Sequence, residues 1–394
     1  MMLFQKHVVI FSLIFLFGFV SINYGEGVRG VTGKTVKIGL MGDLTGPIAD
    51  VWIPISLGAK AFLNKLNDEG GVHGRKVKYI IEDDRYSIPL ALSGFKKLVH
   101  RDEIFAIQGA SGVGHTGAIV PLCTKEKVPI FTASAEPRLF KPVRKYVFCG
   151  IPWYQDQAKI VMDYVFKDMK KKKPVIALMH PDTGSGKDSR DAMRGLVKKY
   201  PVKDYKEIII SMSALDFTTE LLAIRRLKPD FVYIHGYVAD TAAIMKFARR
   251  LNVSTTFLVS QYGCTHKTLE VADKAAKGLL GISCYGMWND DSPGVKELRK
   301  GSKALDSSVN IRGSNFFQGW FIGILFERGL RTAGRDLNLT TYLKGLESVK
   351  NYNTRGICGN ITFGQNDHKS IEYSRIYKAD VDKKRFIPIT GWRK

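Results

Sequence analysis

Short apolar, β-rich runs alternate with longer helix-like segments from Lys34 onward, and this alternation restarts after Trp153. In the first half, Val36 to Met41, Val77 to Ile81, Phe105 to Gly109 and Pro129 to Thr132 read as strands buried on both faces. Helices are expected around Leu57 to Asn67, Pro89 to His100 and Thr116 to Lys127. In the second half the strands are Val175 to Met179, Glu207 to Ser211, Phe231 to His235, Thr256 to Val259 and Leu279 to Ser283. Helices near Asp188 to Tyr200, Phe217 to Leu227, Ala239 to Leu251 and Thr265 to Ala276 separate them. Pro174 and Pro229 each stand just before a strand, where proline disfavours helix in the residue before it. Strands alternating with helices predict parallel sheets covered by helices, so the fold class is α/β with two doubly wound lobes. A chain of 394 residues has the length for two such cores. The tail, with helices at Gly313 to Ala333 and Thr340 to Val349 and strand-like runs at Glu372 to Lys378 and Arg385 to Thr390, is too short for a third domain and is expected to be laid onto the two lobes.

Residues 1–25 have the layout of a secretory signal: Lys6 precedes an apolar run from Val8 to Val20, followed by a polar, glycine-containing stretch. The apolar run is shorter than the roughly 18 to 20 residues that cross a bilayer, so cleavage near Gly25 is expected rather than anchoring. No cysteine occurs before Cys123 to carry an N-terminal lipid, and the mature chain is expected to be soluble. Cys123, Cys149, Cys264, Cys284 and Cys358 form no CxxC pair and do not sit with histidines at zinc spacing. Cys123 with Cys149, or Cys264 with Cys284, could pair in an oxidising compartment; the alternative is five small buried hydrophobes. Net charge is +23, with basic clusters at Lys167 to Lys173, Lys198-Lys199 and Lys383 to Arg385. These fall at helix ends and loops, with no zinc finger or RNA-recognition motif beside them, so no nucleic-acid partner is expected. The charge is read as surface adaptation or weak attraction to anionic ligands or membrane faces.

In open parallel sheets, ligands bind outside the carboxyl ends of the strands, which directs attention to the turns there. Five turns stand out: Gly42 to Pro47, Gly109 to Gly114, Ala133 to Pro137, Gly236-Tyr237 and Ser260-Gln261-Tyr262. Small residues let a ligand approach backbone amides at helix N-termini, where a carboxylate is favoured. Trp52, Tyr154, Tyr237 and Tyr262 are candidates for the opposite wall, and Ser185 joins the ligand-binding candidates. Enzyme motifs fail on spacing. Gly109 to Gly114 is not GxGxxG, and no clean acidic partner closes a βαβ unit there. Gly186-Lys187 lacks the P-loop's first glycine, replaced by Pro181, and its Ser or Thr, replaced by Asp188. Ser111 is followed by Val113 where a nucleophile elbow needs glycine. The histidines are scattered without HExxH, and no catalytic set, metal site or cofactor site is expected.

Taken together, Val36 to Leu40 running into Leu44-Thr45-Gly46-Pro47, then Gly70 to Val77 with Glu82-Asp83-Asp84, look like the opening of the leucine/isoleucine/valine-type periplasmic binding proteins. Lys97 to Ile107, Lys228 to Tyr233, Gly359 to Phe363 and Asn366-Asp367-His368 continue the resemblance in the same order. It implies a type I binding fold whose chain crosses between lobes near Gly150, Cys284 and Asn360. The lobes would then be 28–150 with 284–360, and 151–283 with 361–394. It also implies a periplasmic, monomeric transport protein that closes on a small-molecule ligand and docks on a membrane ABC permease; a ligand-sensing protein and an enzyme with an unrecognised site are the alternatives. In amino-acid-binding members the first lobe holds the α-carboxylate and an acidic residue of the second lobe meets the ammonium. Here Ser111, Gly112 and Val113 match the first loop and Ala133, Ser134 and Ala135 the next, with Ala135 in place of threonine. Tyr237 matches the second-lobe tyrosine, Gln261 replaces the acid, and Val51 and Trp52 replace a tyrosine followed by glycine. An ammonium would lose a charge-assisted bond at Gln261, roughly 1.5–3 kcal/mol. The resemblance therefore favours an amide, an aromatic acid or another small carboxylate over an ordinary α-amino acid.

Overall fold

A computed structural model describes residues 27–212 and 214–394; the expected leader at 1–25 lies outside the described residues. The first lobe opens with β1 (Thr35–Gly42), α1 (Ala49–Asp68), β2 (Lys76–Asp83), α2 (Ile88–Lys96), β3 (Ala106–Gln108), α3 (Val113–Lys125), β4 (Ile130–Thr132) and β5 (Val147–Cys149). Its sheet is wholly parallel, in the order β2-β1-β3-β4-β5. The second lobe follows with α4 (Tyr154–Asp163), β6 (Val175–Pro181), α5 (Gly184–Val197), β7 (Asp204–Ile210), α6 (Thr218–Leu227), β8 (Phe231–Ile234), α7 (Val238–Arg250), β9 (Thr256–Val259), α8 (His266–Ala272) and β10 (Leu280–Ser283). The chain then returns to the first lobe as α9 (Pro293–Leu305), α10 (Ser314–Ala333) and α11 (Leu339–Glu347), and ends in β11 (Arg375–Asp380) and β12 (Arg385–Pro388).

The second sheet runs β12-β11-β10-β9-β8-β6-β7. Without β11 and β12 it repeats the winding of the first, with β6 and β8 in the places of β1 and β3. The last two strands form an antiparallel hairpin on β10, which covers what would otherwise be an open parallel edge. In each sheet the strand order reverses beside the first strand, between β1 and β3 and between β6 and β8. That switch point is where a crevice opens at the carboxyl ends.

The strands carry buried side chains on both faces because helices cover both; β8 is buried at all four positions. α1 begins well before Leu57, at Ala49, with Pro54 inside it. The Asp43 carboxylate accepts the Ile48 amide at 2.8 Å and fixes the approach to the helix. α1 packs on α10 with almost no separation. A Cβ on Gly58 would lie 2.0 Å from the Phe316 carbonyl oxygen, and one on Gly319 would lie 1.8 Å from that of Ile55.

All five cysteines are free and buried, so neither disulfide pairing exists in the structure. The chain leaves the first sheet after Cys149, at the end of β5, and the run of parallel strands in the second after Ser283, at the end of β10. The third crossing lies beyond Asn360. Phe363 and Ile371 belong to the first lobe's core, the His368 ring stacks on Phe148 with centroids 4.1 Å apart, and Ser370 Oγ donates to the Cys149 carbonyl. Only at Ile376 and Tyr377 does the chain enter the cores of the second lobe. Residues 361–371 thus pack with the first lobe, because His368 anchors them to the end of β5 through the Val147 carbonyl, 3.0 Å from Nδ1.

Candidate functional site

Turns at the carboxyl ends of both sheets converge on one interlobe cavity, whose space between atoms is about 350 Å³ with its open mouth included and about 20 Å³ inside. From the first lobe it is lined by Ile48, Val51, Trp52 and Ile55 around the first turns of α1, Tyr86 after β2, Ser111, Gly112 and Val113 after β3, and Ala133 and Ser134 after β4. The second lobe contributes Tyr154 from α4, Ser185 from α5, Tyr237 at the start of α7 and Tyr262 after β9. Of the sequence candidates, Trp52, Ser111, Gly112, Val113, Ala133, Ser134, Tyr154, Ser185, Tyr237 and Tyr262 are brought together here. Ala135 and Gln261 are not in the lining.

Carboxylates that do not line the cavity shape its first-lobe wall. Buried Asp84 accepts the Ser111 amide at 3.0 Å and the Tyr86 amide at 3.1 Å, and Ser111 Oγ also donates to it. This holds the β3–α3 loop against the turn after β2. Trp52 lies across the end of β1, where a Cβ on Gly42 would come 2.2 Å from its ring, and its Nε1 donates to the Ser111 carbonyl at 2.9 Å. Gly112 lets the loop close on His115 and Tyr86, since a Cβ there would be 2.7 Å from His115 Nδ1. Gly112 also begins α3 with no side-chain cap. Its carbonyl accepts the Thr116 amide, while the amides of Val113, Gly114 and His115, in the first turn, have no acceptor among the described residues. Such amides, at the positive end of the helix dipole, suit a carboxylate.

The second-lobe wall is aromatic. The rings of Tyr237 and Tyr262 lie 5.7 Å apart, and Tyr154 meets His235 edge-on at 5.0 Å. Burial raises the Tyr154, Tyr237 and Tyr262 phenols, so they stay protonated and can donate. Burial, reinforced by His180, depresses His235 to about 3 and keeps it neutral. No lining side chain carries a formal charge. The lobes touch across the cavity: the Tyr262 hydroxyl donates to the Ala133 carbonyl at 2.9 Å.

Gln261 is buried behind this wall. Its Oε1 accepts from the Cys284 thiol at 3.2 Å, and its carbonyl accepts from Ser314 Oγ at 3.3 Å. The neighbouring Tyr262 takes the place facing the cavity. Ala135, fully buried, packs into the first lobe's core. The sequence reading missed Tyr86, Ile48 and Ile55. Tyr86 lies in the turn after β2, at the same carboxyl edge as the turns after β1, β3 and β4, so its position along the sheet is the signal that points to it.

The periplasmic binding protein family model matches residues 35–385. The chain belongs to that family. Leu/Ile/Val-binding protein homolog 3 of Brucella melitensis is 23% identical over 93% of this chain and 95% of its own length. Among solved structures, a branched-chain amino acid ABC transporter protein from Thermus thermophilus with bound valine superposes with a TM-score of 0.84, at 21% identity over 92% of this chain and 97% of that one. A fatty acid ABC transporter substrate-binding protein from Thermomonospora curvata gives 0.83, at 19% identity over 93% and 94%. At these identities the two structures establish the type I periplasmic binding fold, and their titles name solutes of different chemistry. As in the family, two lobes wound alike face each other across a crevice. Among the described residues no helix is long and apolar enough to cross a membrane.

Proposed function

We propose that this chain is the extracytoplasmic substrate-binding protein of an ABC importer: it traps a small amino-acid-like, amide or carboxylate solute between its lobes and delivers it to a membrane permease. The observation that carries this reading is the interlobe cavity itself, with unpaired amides of α3 on one side and neutral phenols on the other. With the lobes together the cavity has room for about 20 Å³, little more than one water, so a solute is admitted only as the lobes part. The absence of a charged side chain in the lining supports a ligand whose one formal charge is a carboxylate; an α-ammonium would enter without an anionic partner there. This replaces Gln261 as the ground for disfavouring ordinary α-amino acids.

Export to the periplasm with cleavage near Gly25, and a monomeric state, complete the reading. Mass spectrometry of protein from its native host identifies both the mature N-terminus and any solute carried through purification. Isothermal titration against α-amino acids, amides and small aromatic or aliphatic carboxylates then tests the ligand. Saturable 1:1 binding of a carboxylate is expected. Turnover of a bound candidate, or failure of the whole panel with no carried solute, would count against a transport receptor.

A further inference from the structure

The parallel winding of the second lobe places the starts of β6 to β10 and the ends of the helices between them at the pole opposite the cavity. The register confirms the alignment, with Val175 beside Asp204, Phe231 beside Thr256 and Leu280 beside Leu258. Lys170, Lys172 and Lys173 are exposed ahead of β6, and Lys198, Lys199 and Lys203 ahead of β7. Arg225, Arg226 and Lys228 follow at the end of α6, and Arg249 and Arg250 at the end of α7. Lys274 and Lys277 precede β10, and Lys383 and Lys384 form the turn of the last hairpin. Hydrogen bonds to backbone carbonyls join these ends into one surface: the Lys203 amide donates to the Pro174 carbonyl, the Arg225 guanidinium to that of Leu251, and the Arg249 guanidinium to that of Lys274. The exposed acids here are Asp168, Asp204, Asp273 and Asp382, of which Asp168 pairs with Arg393. Asp230 and Asp380 are already taken by Lys171 and Arg385.

Basic residues at helix C-termini offset the helix dipole, so some enrichment is expected at any such pole. The first lobe shows what that alone produces. At its corresponding pole Glu69, Asp102, Glu103 and Glu126 stand among the lysines and arginines, and the first three pair with Lys65, Arg101 and Lys37. Among the described residues, Lys171, Arg385 and Arg393 aside, none of the second-lobe cations named above forms an ion pair. The excess of cations over acids is therefore larger at this pole than at its first-lobe counterpart, where Lys34, Lys76, Lys125, Lys127 and Lys145 also stand exposed.

We infer that the far pole of the second lobe is an electrostatic docking surface for anionic phospholipid headgroups, holding the protein against a membrane. Lysine dominates the patch. Its compact, strongly hydrated charge suits diffuse attraction to a charged plane, whereas guanidinium pairs suit bidentate recognition. No exposed aromatic side chain is interleaved among these cations, as base stacking on single strands would require.

Co-sedimentation of the full chain with vesicles of phosphatidylcholine alone, or with phosphatidylglycerol added, tests this. Binding is expected on the anionic vesicles only, weakening about tenfold or more between low and physiological salt as the Debye length shrinks. Replacing Lys172, Lys198, Lys203 and Lys383 by glutamate should abolish it, by about tenfold or more, while leaving ligand titration unchanged. The same change at first-lobe Lys78, Lys96, Lys125 and Lys145 should have a clearly smaller effect. Equal loss from the two sets would reduce the pole to net charge and overturn the inference. So would equal binding to both vesicle types, or tighter binding to a DNA duplex than to anionic vesicles at physiological salt.

Discussion

The Tyr262 hydroxyl of the second lobe donates to the Ala133 carbonyl of the first, 2.9 Å away, so one hydrogen bond spans the crevice in which a ligand would sit. It exists only while the lobes are together. Tyr262→Phe keeps the ring and its contact with Tyr237 but removes the bond, which costs the closed form about 1 kcal/mol, or roughly a fivefold loss of affinity. Titration calorimetry should show that loss, and small-angle scattering of the unliganded variant a larger radius of gyration than wild type. Unchanged values in both would mean that closure does not depend on this contact.

Asp84 organises the binding loop without touching the cavity. Asp84→Ala leaves the Ser111 and Tyr86 amides without their acceptor in a buried setting. Hydrogen bonds to a charged group contribute about 1.5–3 kcal/mol each, so the variant should unfold at lower denaturant by about 3 kcal/mol and bind ligand more weakly still. Normal stability with normal affinity would remove Asp84 from this role.

How much of this could be read in the sequence depended on the strength of the local pattern. Buried strands such as Phe231–Ile234 and Thr256–Val259 are continuous apolar runs bounded by polar turns, and they emerge within a residue of expectation. β5 has three residues, Val147–Cys149, too few for any period to register. α4 and α9 were missed because their apolar positions are diluted by Gln, Asp, Lys and Arg, and packing against a sheet, not composition, makes them helical. The third crossing was misplaced because its anchor, His368 on Phe148, is a contact between residues far apart in sequence. The site was legible as turns at strand ends, but which residue of a turn faces inward was not. At Ser260-Gln261-Tyr262 the orientation differs by one residue from the expected one.

Closure should also be pH-dependent. Asp188, on α5, is pushed up to about 7, first by burial, then by Glu136 of the first lobe and by Asp191, with Arg138 opposing. Its Oδ2 and the Glu136 Oε2 are both buried without a partner. The raised value means that the closed form holds a proton which the open form, with Asp188 in water, gives up at its ordinary 3.8. Its contribution to closure is therefore fully present below about pH 4 and is lost as pH rises towards 7. Affinity for a ligand that does not itself titrate in this range should fall accordingly, by at most about tenfold per unit. Asp188→Asn should flatten the profile. A wild-type profile already flat from pH 4.5 to 8 would exclude the coupling.

The α1–α10 contact gives a prediction of unusual sign. Gly→Ala within a helix ordinarily stabilises, by about 0.4–1 kcal/mol, where the conformation and space allow. At Gly319 the new methyl would lie 1.8 Å from the Ile55 carbonyl oxygen, and Ile55 lines the cavity. Gly319→Ala should thus destabilise by about 1–3 kcal/mol, as overpacking does, and weaken ligand binding by shifting α1. Gly195→Ala, on α5 with open space around its Cβ position, is the control and should be neutral or stabilising.

Gln261 separates the reading of the sequence from that of the structure. If it faced the ligand, Gln261→Glu would change which solutes bind, because a carboxylate in the crevice would attract an ammonium. In the structure its side chain is buried behind Tyr262, with Oε1 taken by the Cys284 thiol, and burial raises that thiol, keeping it protonated. A glutamate there has no cation to meet. An unpaired buried carboxylate costs several kcal/mol or takes up a proton instead, so the variant should melt about 5 °C or more below wild type, with the shortfall shrinking as pH is lowered. Its order of preference across amino acids, amides and carboxylates should be that of the wild type. Differential scanning calorimetry with the titration panel checks both. Wild-type stability together with new binding of leucine-like amino acids would place position 261 in the crevice after all.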